Sequence, residues 1–208
     1  MPVPRAASSA PAEGALSPFD RFLPLRQLRG QIDVMAALKD LRAALLSRPD
    51  EALRPLGFRK RQQSFHLESG PCRRSFHVAF VNHASDFDVT ADMAVRHHAV
   101  EDLLNAERLH LSGRQKNDTA TVGAELGNIA GVGQHRWQVS EAGDVEPVAE
   151  DILGWFRRVG EPFLQRYSDL DAVSQVLAAD GAEARLICPI PQSRAKTAAA
   201  IQSLLNSR

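Results

Sequence analysis

The chain has 208 residues, 25 of them basic and 25 acidic, so the formal net charge is zero. Hydrophobic residues make up 44% and charged residues 24%, which is globular usage with enough apolar material for one sizeable core. Zero net charge argues against a dedicated nucleic-acid binder, which needs a cationic field for phosphates, and no apolar run approaches the roughly 20 residues that cross a bilayer.

Residues 1 to about 30 carry Pro2, Pro4, Pro11, Pro18 and Pro24. Proline lacks a donor and restricts the residue before it, so this segment resists helix and strand. It is expected to be a disordered proline-rich tail whose Phe19, Phe22, Leu23 and Leu25 form a sticky end, ahead of a single domain over 31–208. Its opening, Met1 to Arg5, leads into an Ala/Ser/Pro stretch without the continuous apolar core of a secretory signal. Cytoplasmic location is the default expectation.

Asp33 reads as an N-cap. Val34, Leu38, Leu41 and Leu45 then recur at helical spacing, predicting a helix to about Arg48, where Pro49 interrupts it. The period next changes to two. Ser64–Leu67, Phe76–Val81 and Phe87–Val95 alternate large apolar with smaller or polar residues, as half-buried strands do. Ser69-Gly70-Pro71 and Asn82–Asp86 mark the turns between them, and connections this short imply an antiparallel meander. Val100, Leu103 and Leu104 predict a short helix, followed by a polar loop from Ser112 to Asp118. Weaker strands are expected near Thr121–Leu126 and Arg136–Val139.

The C-terminal third reads as helical. Val148, Ile152, Trp155, Phe156 and Val159 form an apolar stripe that Gly160 and Pro162 should break. Phe163 begins a second helix, and Ser168 with Asp171 predicts a capped third one running to Gly181. Leu186-Ile187-Cys188 reads as a short strand or extended segment, and Ser193 as the cap of a last helix.

The order helix, sequential strands, helices predicts an α+β fold. The expected architecture is an antiparallel sheet of about five strands with helices packed on one face. That face should bury Phe65, Phe76, Val78, Phe80, Phe87, Val89, Met93 and Trp155, leaving the other partly open.

The phrase Leu53-Arg54-Pro55-Leu56-Gly57-Phe58-Arg59-Lys60, followed by Ser64-Phe65, resembles the opening of the uncharacterised DUF4304 family. Glu125-Leu126-Gly127 with Arg136-Trp137 is similar to that family's second signature. Pro162-Phe163 and Tyr167-Ser168-Asp169-Leu170 are similar to its C-terminal helices. The resemblance covers residues 35 to 180, implies an α+β fold, and carries over no catalytic residue.

Candidate functional residues lie on the polar strand positions. Two cysteines, Cys72 and Cys188, lack CxxC spacing and read as inert thiols in a reducing compartment. His77, His83, His97 and His98 lack the spacing of a zinc site, so no metal or other cofactor is expected. Asp86, Asp88 and Asp92 share a strand parity and could bind a hard cation, steer a cationic ligand, or simply solvate an exposed face. Arg59-Lys60-Arg61 and Arg73-Arg74 could meet a phosphate or an acidic partner, or be solvated strand ends. No phosphate-binding glycine loop and no GxSxG serine elbow is present.

The primary expectation is a non-enzymatic binding or interaction protein, immunity-like or regulatory, in a bacterial cytoplasm. Its partner surface would be the polar sheet face, with His77, Asp88 and Asp92 as binding residues and another protein as the partner. The alternative is a small enzyme or small-ligand-binding protein in which His77 and Asp88 or Asp92 form an acid–base pair. A cavity enclosing all three residues would favour the alternative, and a flat exposed face the interaction protein.

Overall fold

The computed structural model describes residues 25–207, and their side chains from residue 34. Most of the expected tail, with Phe19, Phe22 and Leu23, lies outside the described residues. The chain divides into an N-terminal unit, Met1–Ala36, and a body, Ala37–Arg208.

Helix α1 covers Leu25–Leu53 and contains Pro49. It starts inside the segment expected to be disordered and passes through the expected stop. Asp33 is an interior position, not a cap. Between Pro24 and Pro49 only Gly30 opposes a helix, at about 1 kcal/mol, and Pro49 removes one bond near the C-terminal end without ending the helix. Gly57 then turns the chain, at φ +91°, a left-handed conformation that glycine tolerates.

The sheet is antiparallel and six-stranded. β1 (Arg59–Arg61), β2 (Ser64–Ser69), β3 (Cys72–Asn82), β4 (Phe87–His97) and β5 (Val122–Glu125) lie in sequence order, and β6 (Trp137–Val139) also pairs with β4. β5 takes Asp92–Val95 of β4 and β6 takes Phe87–Val89. Alternation along β2, β3 and β4 sets the faces as expected. Phe65, Phe76, Val78, Phe87, Val89 and Met93 are buried, while Phe80 and Trp155 are only partly so.

Helices cover that apolar face. The Arg42 guanidinium of α1 lies 5.1 Å from the Phe87 ring centre. α5 (Ala142–Trp155) continues through a π-helical stretch, Phe156–Gly160, into α6 (Glu161–Tyr167). The predicted break at Gly160 and Pro162 does not occur. Gly160 lies so close to β4 that an added Cβ would be 2.8 Å from the Met93 Sδ, so its lack of a side chain serves packing. Pro162 sits in the first turn of α6, where the wider π turn before it already alters the bonding pattern. The Phe156 ring lies 5.4 Å from that of Phe76 and 6.0 Å from that of Phe58.

Three further expectations are corrected. Asp169, not Ser168, caps α7 (Leu170–Ala179), accepting from the Asp171 N–H at 3.0 Å. Leu186-Ile187-Cys188 is not a strand; α8 spans Ala182–Ile187. α9 (Pro191–Asn206) starts with Pro191 after Ile190, two residues before the expected Ser193 cap, because proline is pre-organised for a first helical turn. α2 (His98–Glu107) follows β4 directly and packs against α9.

Candidate functional site

The polar face of the sheet is built by register. Arg61, Ser64, His77, Asp92 and Glu125 form one row across β1 to β5. Arg59, His66, Ser75, Ala94 and Gly123 form the neighbouring row.

Antiparallel pairs alternate between hydrogen-bonded positions, about 5.5 Å between Cα atoms, and non-bonded ones, about 4.5 Å, where side chains approach more closely. The Val78 N–H donates to the Gln63 carbonyl at 2.9 Å. That makes Ser64 opposite His77, and His66 opposite Ser75, non-bonded pairs. Their side chains accordingly meet: Ser64 Oγ and His77 Nδ1 are 2.8 Å apart, and His66 Nδ1 and Ser75 Oγ are 2.9 Å apart. Between β3 and β4 the phase is opposite. The His98 N–H donates to the Pro71 carbonyl at 3.0 Å, and continuing that alternation makes His77 opposite Asp92 a hydrogen-bonded pair with its side chains held further apart.

Two copies of one tripeptide produce this arrangement. Ser64-Phe65-His66 and Ser75-Phe76-His77 run in opposite directions on adjacent strands with Phe65 opposite Phe76. The phenylalanine rings stack in the core at 5.7 Å, and the serines and histidines cross-pair on the other face. A local two-fold relation follows from the antiparallel geometry.

One end of this face is overhung by the connection between α2 and β5. Within it, α3 (Gly113–Asn117) is secured by a reciprocal cap between Ser112 and Gln115. Arg73 donates to the Asn117 carbonyl, and Arg96 Nη1 donates to the carbonyls of Lys116 at 3.0 Å and Thr119 at 3.1 Å. Sheet and overhang enclose an open cavity of about 320 Å³. Arg61, Arg73, Arg96 and Arg114 line it with His66 and His77, and Asp118 is the single carboxylate in the lining.

These cations are not equally satisfied. Arg96 is buried and lies 3.7 Å from both Glu101 and Asp102. Arg61 is exposed, 3.6 Å from Asp118, a pair of little energetic weight in water. Among the described residues Arg73 and Arg114 have no carboxylate at ion-pair distance, and the buried Arg73 Nε has no hydrogen-bond partner. Burial lowers the pKa of the Arg73 guanidinium, with Glu68 acting against it. Burial also lowers that of the His66 imidazole, and Arg73 and Arg61 push the same way. Bringing in negative charge would relieve both groups.

The cavity does not gather the expected trio of His77, Asp88 and Asp92, which share the polar face of the sheet. His77 lines the cavity, while Asp88 and Asp92 do not. Asp92 is directly opposite His77 in register, but the pair makes no ion pair or hydrogen bond, for the phase reason given above. Burial raises the Asp92 pKa, with His77 opposing and Glu125 reinforcing. Asp88 lies further along β4 opposite Val81 and is engaged by His83 at 3.3 Å and Arg136 at 3.4 Å. His97 is buried and its Nε2 donates to the Tyr167 carbonyl at 2.8 Å, while His98 pairs with Glu68 at 3.2 Å. No three His, Cys, Asp or Glu side chains are grouped to hold a metal ion among the described residues, and there no helix is long and apolar enough to cross a membrane.

Sequence reasoning missed Ser64, His66, Ser75, Arg96 and Arg114 as site residues. The repeated Ser-Phe-His was the available signal for three of them. Comparison with family models, with curated proteins and with solved structures finds no match. The resemblance to DUF4304 therefore rests on the residues quoted for it alone.

Proposed function

We propose that this chain is a non-enzymatic binding protein that takes a small anionic molecule into the cavity on its polar sheet face. The observation that carries the reading is the convergence of four arginines and two histidines on one concavity in a chain of zero net charge. Concentrated cations with part of their hydrogen-bonding capacity unused form an anion site. This reading moves the expected partner from a protein to a small molecule, because the basic groups surround a hollow of ligand size. An acid–base role for His77 with Asp92 has less support, since the two side chains do not touch.

Isothermal titration at low salt with phosphate, sulfate and small carboxylates tests it. Saturable binding is expected, weakened by added salt and by Arg73→Gln and Arg114→Ala. Arg59→Ala, on the same strand as Arg61 but outside the lining, should bind as the parent does. Absence of saturable anion binding, or equal loss in Arg59→Ala, would overturn the reading.

A further inference from the structure

We infer that the group recognised in this cavity is a phosphate monoester carried on a small soluble molecule. This rests on the anion-binding reading and narrows it.

Charge comes first. Arg96 faces Glu101 and Asp102 outside the lining, so Arg61, Arg73 and Arg114 remain against the one lining carboxylate, Asp118, an excess of two positive charges. A phosphate monoester carries about −1.5 to −2 charges at neutral pH, against −1 for a carboxylate. An excess of two positive charges matches the former.

Donor count points the same way. Each histidine has its Nδ1 taken by a serine of the neighbouring strand, and neither Nε2 has a hydrogen-bond partner among the described residues. With each serine hydroxyl donating to Nδ1, the cavity offers two imidazole Nε2–H donors and the open fork of Arg114. A planar carboxylate presents two oxygens in one plane. A phosphate monoester presents three terminal oxygens in a tetrahedral spread, suited to donors from two strands and an overhanging helix.

Geometry supplies the third argument. His66 and His77 are diagonal neighbours across β2 and β3, at a separation of roughly 7–8 Å. The antiparallel relation gives each a serine partner, although His77 also faces Asp92 and His66 is acted on by Arg73 and Arg61, so the floor offers an imidazole on either side of a central position. The cavity volume of about 320 Å³ exceeds that of a bare phosphate ion and leaves room for a body of sugar size, near the lower end of small-ligand pockets. The site binds the ester; no bond is formed or broken in it.

The test compares glucose 6-phosphate with glucuronate, which places a carboxylate on a similar body. Isothermal titration should give one saturable site for glucose 6-phosphate, tighter than glucuronate by about tenfold or more, as one further charge-assisted hydrogen bond implies. Arg73→Gln and Arg114→Ala should each weaken the phosphate by about tenfold or more. Arg114 is exposed, so its variant keeps the test valid if Arg73→Gln does not fold. Glucuronate binding as tightly, with the same dependence on Arg73 and Arg114, would overturn the phosphate assignment while leaving an anion site. No arginine-dependent binding of either compound, of inorganic phosphate or of phosphatidic acid vesicles would overturn both readings. Capture on phosphatidylcholine vesicles doped with phosphatidic acid, without binding of glucose 6-phosphate, would assign a lipid headgroup and overturn the soluble ligand.

Discussion

Phe76 and His77 are neighbours on β3 whose side chains point to opposite faces, one sealed in the core and one half-buried at the cavity. Phe76→Ala removes a fully buried ring and leaves a void, a loss of about 3–5 kcal/mol. His77→Ala loses one hydrogen bond to Ser64, about 1 kcal/mol. Urea denaturation of both variants checks the contrast; comparable losses would mean that the polar face is also core. His66 provides the pH-dependent expectation. Burial, then Arg73 and Arg61, hold its pKa below the ordinary value, so the unfolded chain binds the extra proton first. Stability is then complete above about pH 6.5 and falls as pH drops below it. His97, lowered chiefly by burial, acts in the same direction. Asp92, raised chiefly by burial, acts oppositely, contributing stability that is lost as pH rises from the ordinary carboxylate range through its folded value. Denaturation midpoints in phosphate-free buffer from about pH 7 to about pH 5 should show a shallower decline for His66→Gln than for the parent. An identical slope would remove His66 from this account.

Among the elements, two neighbouring hairpins show why part of the molecule was legible and part was not. Both have two-residue turns with a left-handed first residue: Gly70 at φ +57° between β2 and β3, and Gln62 at φ +58° between β1 and β2. Glycine announces the first turn and the glutamine hides the second. β1 itself is three exposed basic residues with no apolar alternation, so nothing in its pattern signals a strand. β2 to β4 were readable because one face is core. α8 was misread because Leu186-Ile187-Cys188 is a short apolar run without a resolvable period, whereas its buried positions, Ala184 and Ile187, are a helical step apart. The basic clusters and His77 were visible as residues, but the Ser–His crossings depend on strand register, and Arg114 reaches the site from a segment read as plain loop. Gln62 also carries a prediction. A side chain in the left-handed region costs about 1–2 kcal/mol, and glycine's extra unfolded-state entropy offsets about 0.5–1 kcal/mol of that. Gln62→Gly should therefore raise the denaturation midpoint slightly, and a clear drop would show that the glutamine side chain contributes more than its backbone strain removes. Gly127→Ala should do the reverse. Its added Cβ would stand 2.3 Å from the Gly133 carbonyl oxygen, and overpacking against backbone costs about 1–3 kcal/mol, readable in the same assay.

At the scale of the whole body, the cavity and the C-terminal helices are separable in function though joined in stability. α9 packs on α2 and α7, with Ile201 fully buried and Arg194 bonded to Asp180 at 2.6 Å and to the Cys188 carbonyl at 2.8 Å. Ile201→Ala should cost about 2–5 kcal/mol in urea with an unchanged denaturant slope, yet leave anion affinity at the parental value, since α9 contributes nothing to the lining. A parallel loss of affinity would show that the cavity depends on the far side of the fold. The lining, in contrast, falls entirely between Arg61 and Ala120, while Phe156, Gly160 and α6, which cover the apolar face, come later in the chain. During synthesis at about 5–20 residues per second, β2, β3 and β4 can pair some seconds before that cover exists. For that interval the nascent sheet presents Phe65, Phe76 and Val89 to its surroundings. Its first edge, β1, is a run of Arg59, Lys60 and Arg61, and charge on an edge strand opposes pairing with another unfinished chain.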